Sequence, residues 1–425
     1  MELYVVRRGD TLYSIAGEFS LTPGLVARYN GIREPYRLAE GQCLLILQPL
    51  ETHTVQPGDT LLSVARQADV QVKELWRLNP DLGGQQTIYP GQVLVTRLER
   101  AGDTPLELSG YVYPFADAAV LRAVLPYATW MIPFTYGFTE AGQLIDPQAA
   151  AAEMLAQQYE VGKFLHLSTL TESGSFSAQR AEALFADPAA QQTLREELVR
   201  TVRQRGYAGV DVDFEFLGAE NAQRYADFLA YLRPAVNAAG AELLAALAPK
   251  TYAAQPGILY EGHDYAKIGA AVDAVLLMTY EWGYTYGPPM AVAPVNAVRR
   301  VLDYAVSEIP PEKIFMGFPN YAYDWTLPYE AGQTRAMLIG NESAPALAAQ
   351  VGAEIRFDED AQTPYFHYTD GLGAVHEVWF EDPRSCLAKF RLAREYGFRG
   401  LGVWNFMRPF TSMFSLLNAE FDLPL

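Results

Sequence analysis

One seven-residue run constrains this chain more than any other: Gly209-Val210-Asp211-Val212-Asp213-Phe214-Glu215. Side chains alternate along a strand, so Val210, Val212 and Phe214 share one face and Asp211, Asp213 and Glu215 the other. A parallel strand covered by helices normally reads as an unbroken apolar run. Here the apolar face is expected to pack against helices, which turns three carboxylates towards the inside of the sheet. Burying them side by side is costly unless they share protons and hydrogen bonds. A purely structural strand has no reason to accept that cost. Successive residues of one face lie roughly 6.6 Å apart along a strand. Glu215 is nearest the carboxyl end, where barrel active sites sit, with Asp213 one step deeper and Asp211 deeper again. Coupled carboxylates push one pKa upward, so Glu215 is expected to stay protonated and to donate.

The rest of the chain supplies the closed parallel sheet that this reading needs. Apolar strand-like runs fall at 110–113, 129–134, 164–168, 209–214, 243–248, 274–278, 314–317 and 400–404. Helical stretches intervene, among them 187–205, 221–239, 292–307 and 383–396. Eight strands alternating with helices predict an α/β fold, a (β/α)8 barrel, over 109–425. The seventh unit is stretched. Residues 320–381 carry strand-like pieces at 354–357, 365–368 and 377–380, which predicts a small α+β insertion beside the active-site face.

Ahead of the barrel the sequence repeats itself. Val6-Arg7-Arg8-Gly9-Asp10-Thr11-Leu12 returns as Val55-Gln56-Pro57-Gly58-Asp59-Thr60-Leu61. Asn30 returns as Asn79, and Gly41-Gln42 as Gly91-Gln92. Two modules follow, at 1–48 and 51–97. Each is expected to run strand, helix, helix, strand, with the Gly-Asp-Thr turn capping the first helix. Residues 98–108, with Gly102-Asp103-Thr104-Pro105, read as a linker.

Composition closes other routes. The net charge is −18 and no basic run appears, which argues against a nucleic-acid partner. No apolar stretch is long enough to span a membrane, and Met1 to Arg8 do not read as a signal peptide. The two cysteines, Cys43 and Cys386, imply no disulfide framework. The five histidines lack metal-ligand spacing, so neither metal nor cofactor is expected. A monomer is expected.

The acidic run resembles the D-G-x-D-x-D-x-E signature of family 18 glycoside hydrolases, the chitinase family. The repeats resemble LysM modules, which bind N-acetylglucosamine-containing polymers such as peptidoglycan and chitin. Two LysM modules before such a barrel resemble the subgroup of spore cortex-lytic N-acetylglucosaminidases active in germination. Met278-Thr279-Tyr280-Glu281-Trp282-Gly283-Tyr284, residues 313–325, 376–382 and 400–405 add to the likeness. One departure stands out: the signature's first Asp is Ala208 here. That change is expected to alter how charge is shared along the strand.

The resemblance implies substrate-assisted retention, with the substrate's acetamido oxygen as nucleophile. Glu215 is then the acid and base, Asp213 orients the acetamide, Asp211 pairs with Asp213, and Tyr280 hydrogen-bonds the acetamide carbonyl. Trp404 is expected as the floor under the reacting sugar. Met278, Glu281, Trp282, Tyr113, Tyr136, Asn320 and Tyr321 are expected around the cleft, with Tyr284, Tyr286, Tyr323 and Trp325 further along it. For each ring, packing is the plainer alternative. In the modules, Gly9, Asp10, Thr11 and Asn30, and Gly58, Asp59, Thr60 and Asn79, are the expected glycan-binding residues.

Three functional readings follow. The first is a peptidoglycan hydrolase cutting spore cortex after N-acetylglucosamine, located in the spore coat or cortex and made in the mother cell without an export signal. The second is a chitinase using the same site. The third, from another class, is a non-catalytic glycan-binding lectin; such relatives usually lose the terminal Glu that Glu215 retains.

Overall fold

The computed structural model describes residues 1–170 and 176–424; residues 171–175, and the Leu425 that closes the expected 109–425 domain, lie outside the described residues. Eight strands close into a parallel barrel in chain order: β1 (Glu107–Val112), β2 (Trp130–Pro133), β3 (Gly162–Ser168), β4 (Gly209–Asp213), β5 (Glu242–Leu247), β6 (Ala274–Leu277), β7 (Ile314–Pro319) and β8 (Gly400–Trp404). β8 pairs with β1 in parallel, which completes the ring. Val210 and Val212 point outward and are fully buried against the helices, as the alternation requires.

The barrel interior is filled rather than open. Ile132, Phe164, Leu244, Ala274, Leu276 and Phe315 pack together inside it. At the amino-terminal end Arg399 donates to Glu107 at 3.1 Å and to Glu242 at 2.7 Å, and its guanidinium lies over the Phe315 ring. This plug leaves the carboxyl ends of the strands as the place where side chains can meet a ligand. Ala208 packs on the same apolar cluster, so an apolar contact stands where the signature has an acid.

Several boundaries differ from the sequence reading. β1 begins at Glu107, inside the expected linker, and Thr104–Pro105 already pairs with Phe421–Asp422. β4 ends at Asp213, because the backbone leaves the ladder there and Phe216 takes a left-handed φ of 59°. Glu215 is therefore carried on the loop beyond the strand rather than on the strand itself. The helix expected at 292–307 starts at Val295, after Pro294. Short helices at Ala118–Val124, Ala178–Ala186 and Tyr265–Ala271 escaped the apolar-pattern reading; each starts at a side-chain cap, from Asp117, Ser177 and Asp264.

The insertion is a five-stranded antiparallel sheet in the order Met337–Ile339, Ala322–Leu327, Val375–Trp379, Thr363–Thr369 and Arg356–Asp358, with the helix Ser343–Val351. Its first strand, Ala322–Leu327, carries Tyr323 and Trp325, and its sheet geometry takes Trp325 into the interior: the ring is fully buried and Nε1 donates to the Gly287 carbonyl at 2.8 Å. Trp325 is thus a packing residue rather than a cleft residue.

Each module pairs its first and last strands antiparallel, Glu2–Val5 with Cys43–Ile46 and Pro49–Thr54 with Val93–Leu98. The modules are fastened to the barrel. Arg77, almost fully buried, donates to the Pro126 carbonyl at 2.6 Å and to that of Leu423 at 2.9 Å. Module one reaches module two through Tyr29, whose hydroxyl donates to the Leu78 carbonyl at 2.9 Å. It reaches the insertion at Gly41, where φ is 83° and an added Cβ would lie 1.8 Å from the Ile355 carbonyl oxygen. Only glycine fits there.

Candidate active site

β3 and β4 are in register so that His166 stands beside Asp211 and Ser168 beside Asp213. All four face inward. Asp211 accepts from the Tyr111 hydroxyl at 2.8 Å, a donor that β1 supplies from across the barrel. His166 Nε2 lies 3.8 Å from Asp211 Oδ2 and 3.5 Å from Asp213 Oδ2, while Nδ1 is 2.6 Å from the Thr135 hydroxyl oxygen. Among the described residues His166 Nε2, Asp211 Oδ1 and Asp213 Oδ1 are buried without a hydrogen-bond partner. Such unsatisfied atoms are rare in folded interiors and mark a site whose charges are not settled by the protein alone.

The electrostatics follow from burial. Desolvation raises Asp211 to about 6, against the lowering effects of His166 and the Tyr111 hydroxyl. Desolvation also raises Asp213, and it pushes His166 down to about 4. Glu215 is raised well above the ordinary carboxyl range, first by burial and then by the charges of Asp213 and Glu281. Its acid form therefore persists where an exposed glutamate is ionised. Tyr280 is raised by burial and by the same carboxylates, so its hydroxyl stays a donor.

Asp213, Glu215 and Tyr280 open into one cavity of about 840 Å³ at the carboxyl end of the barrel. Trp404, Tyr111, Tyr113 and Phe134 wall one side; Met278, Glu281 and Trp282 wall another; the loop after β5 adds Thr251, Tyr252, Gln255 and Tyr260. The cavity is large enough for several sugar rings and rich in the flat apolar faces that sugar C–H groups cover. Glu281 takes a left-handed φ of 67°, a strained conformation for a residue with a side chain. Two hydroxyls hold it: Tyr321 donates to Glu281 Oε1 at 2.5 Å and Tyr323 at 3.2 Å.

Of the cleft residues expected from sequence, Trp404, Met278, Glu281, Trp282 and Tyr113 line the cavity. Tyr321 and Tyr323 are outside the lining and hydrogen-bond to Glu281. Two expectations are corrected. Tyr136 points outward from the barrel, buried, with its hydroxyl 3.0 Å from that of Tyr207 and accepting from Arg205 at 2.9 Å. Asn320 is fully buried and donates to the carbonyls of Asn405 and Arg408, tying β7 to the end of β8. Tyr284 and Tyr286 are exposed outside the cavity lining. Sequence reading missed His166, Tyr111, Phe134 and the β5 loop. A lone histidine in the apolar run 164–168 was the available signal for His166.

In the modules the expected glycan residues mostly hold the turns. Thr11 and Thr60 cap their helices reciprocally with Ser14 and Ser63. Asp10 accepts from Tyr4 and the Arg7 amide, and Asp59 from the Gln56 amide, with His53 at 2.8 Å. Gly9 and Gly58 take φ of 91° and 94°. Asn30 and Asn79 face inward: each amide brackets the closing strand, Asn30 at Leu45 and Asn79 at Val95. Asn79 is completely buried, with its amide given to the fold.

Comparison with known proteins converges on the same reading. Residues 166–408 match glycosyl hydrolases family 18, and residues 4–46 and 53–97 match the LysM domain. The chain is 36% identical over 429 residues to the cortical fragment-lytic enzyme of Bacillus subtilis (strain 168), covering 100% of this chain and 99% of that one. The crystal structure of the Bacillus cereus spore cortex-lytic enzyme SleL superposes with a TM-score of 0.84 at 32% identity, covering 100% of this chain and 98% of that one. A chitinase from Chromobacterium violaceum gives a TM-score of 0.68 at 25% identity over 74% of this chain and 98% of its own. A barrel with Asp211, Asp213 and Glu215 at its open end, joined to two modules of this type, makes the chain a member of glycosyl hydrolases family 18 that carries two LysM domains.

Proposed function

We propose that this glycoside hydrolase cleaves the glycan of spore cortex peptidoglycan at N-acetylglucosamine, in association with the spore. The observation that carries the reading is the state of two groups in the cavity. Among the described residues, neither the Glu215 carboxyl nor the Tyr280 hydroxyl has a hydrogen-bond partner, and both open onto the space a sugar would fill. The full-length likeness to two cortex-lytic enzymes supports the choice of polymer.

The chemistry runs through the substrate. Glu215 gives its proton to the glycosidic oxygen as the acetamido carbonyl oxygen attacks the anomeric carbon, so one C–O bond forms as another breaks. Asp213, as carboxylate, accepts the acetamide N–H and balances the positive charge of the oxazolinium ring. Tyr280 donates to the acetamide oxygen and holds it below the anomeric carbon. Asp211, with His166 beside it, takes up the proton that Asp213 gives up when it turns to the substrate. Glu215, now a carboxylate, deprotonates a water that opens the ring on the same face, which gives retention. A sugar lacking a free 2-acetamido group cannot occupy the reacting position, so muramic lactam belongs on the leaving side. The LysM modules, fixed to the barrel, would hold the polymer beside the cleft.

Purified decoated spore cortex, digested and analysed by mass spectrometry, tests this reading. Fragments with N-acetylglucosamine at the new reducing end are expected, and Glu215→Gln should release none while still sedimenting with the polymer. Fragments ending in muramic acid, or undiminished release by Glu215→Gln, would refute it. Chitin is the second substrate to test, since the barrel alone resembles that of a chitinase; release from chitin and not from cortex would reassign the polymer.

A further inference from the structure

The cavity is acidic, with one exception. Asp213, Glu215 and Glu281 face it, and Arg300 is the one cationic side chain on its lining among the described residues. Arg300 sits on the helix Val295–Glu308 that follows β6, exposed, next to Ala297 on the cavity wall. Its neighbour Arg299 forms a two-pronged pair with Glu395 at 2.6 and 2.8 Å on the outer surface. Arg300 has no carboxylate within ion-pair distance among the described residues, in a chain with 50 acidic and 32 basic residues. The same cavity is lined by Gln255, Tyr260 and Trp282, from the segments after β5 and β6. Those segments lie across the ring from Tyr111 on β1 and from Tyr113 and Phe134 just past β1 and β2.

We propose that Arg300 is a specificity-determining residue that binds a carboxylate on the sugar adjoining the cleaved N-acetylglucosamine. The ligand class is a 3-O-lactyl acid, free or extended by a short peptide. The proposal rests on the peptidoglycan reading above and adds which sugars it favours. Asp213, which works as a carboxylate, and Glu281 repel such a substituent where they are near, so an acid-bearing strand gains from a compensating cation. A neutral chitin chain gains nothing from one. Guanidinium suits the task because its planar fork meets a carboxylate with two parallel hydrogen bonds.

Steady-state kinetics on four soluble substrates tests it: a chitooligosaccharide, a muramic lactam fragment, a fragment with free lactyl acid, and the same fragment carrying its peptide. Arg300→Gln is expected to raise KM about tenfold on the acid-bearing fragments, with kcat little changed. The two neutral substrates should be unaffected. Arg300→Lys should recover part of the loss, because charge is kept and the fork is not. An effect confined to the peptide-bearing fragment assigns the contact to a peptide carboxylate; an effect on both acid fragments assigns it to the lactyl acid. Equal changes on all four substrates, or none on any, overturn the proposal and leave the cortex reading standing. If the unmodified protein cuts none of the muramic fragments, the peptidoglycan reading itself fails.

Discussion

His166 Nε2 stands 3.5 Å from Asp213 Oδ2 in the barrel interior, and neither side chain has more than a trace of solvent contact. With Nδ1 committed to Thr135, the free nitrogen faces two carboxylates, each with Oδ1 unsatisfied among the described residues. Three titratable groups thus share fewer protons than they could bind. The fold holds this arrangement at a cost, and the cost can be measured.

Stability should depend on pH through this cluster. The folded carboxyl of Asp211 is raised from 3.8 to about 6 by burial, with Asp213, His166 and the Tyr111 hydroxyl as its titratable neighbours. The folded state therefore binds a proton more tightly than the unfolded chain does. This group's contribution is fully present below about pH 4 and is lost as pH rises to about 6. Asp211→Asn removes this group's share of the dependence. Urea unfolding at pH 4, 6 and 8 should show the variant gaining on the parent by about 1 to 3 kcal/mol across that window, with no further gain above it. A constant difference at all three values would contradict the assignment.

The Tyr280 hydroxyl has no protein partner among the described residues, so its removal should cost no internal hydrogen bond. Tyr280→Phe is expected to melt within a degree or two of the parent. Its kcat on N-acetylglucosamine oligomers should fall about 100- to 1,000-fold, the range for losing one donor to a reacting oxygen. An unchanged kcat would remove Tyr280 from the reaction.

Arg77 binds module two to the barrel through buried main-chain carbonyls. Arg77→Met keeps the apolar stem and strips the donors from at least two acceptors. Unfolding free energy should fall by about 2 to 4 kcal/mol. Equilibrium unfolding followed by tryptophan fluorescence gives the number, and a loss under about 0.5 kcal/mol would show the joint to be loose.

Asn79 separates structure from recognition. Its amide serves the Leu75 and Val95 carbonyls and accepts the Val95 amide. Asn79→Ala should destabilise the chain by about 1 to 3 kcal/mol. Sedimentation with insoluble peptidoglycan, per folded molecule, should not change. A selective loss of binding at unchanged stability would restore Asn79 as a glycan contact.

The alternation of Val and acid over 209–215 was enough to orient the strand, because a two-residue period leaves no freedom about which side chains share a face. The 49-residue offset between Gly9-Asp10-Thr11 and Gly58-Asp59-Thr60 marked the modules, because capping turns need those residues locally. Neither signal carries distance between segments. That Tyr111 reaches Asp211, that Tyr321 and Tyr323 hold Glu281, and that Arg300 enters the cavity depend on contacts between residues 40 or more apart or on how a helix sits against the ring. Tyr136 shows the converse: an aromatic just past a barrel strand, which local pattern alone places at the cleft, was turned outward to Tyr207 and Arg205. The sequence by itself determined the barrel, the two modules and the shared face of Asp211 and Asp213. Tertiary packing decided where Glu215 sits beyond the strand, which neighbours shift its carboxyl and which rings line the cavity, because close approach between distant segments is fixed by how the whole barrel closes.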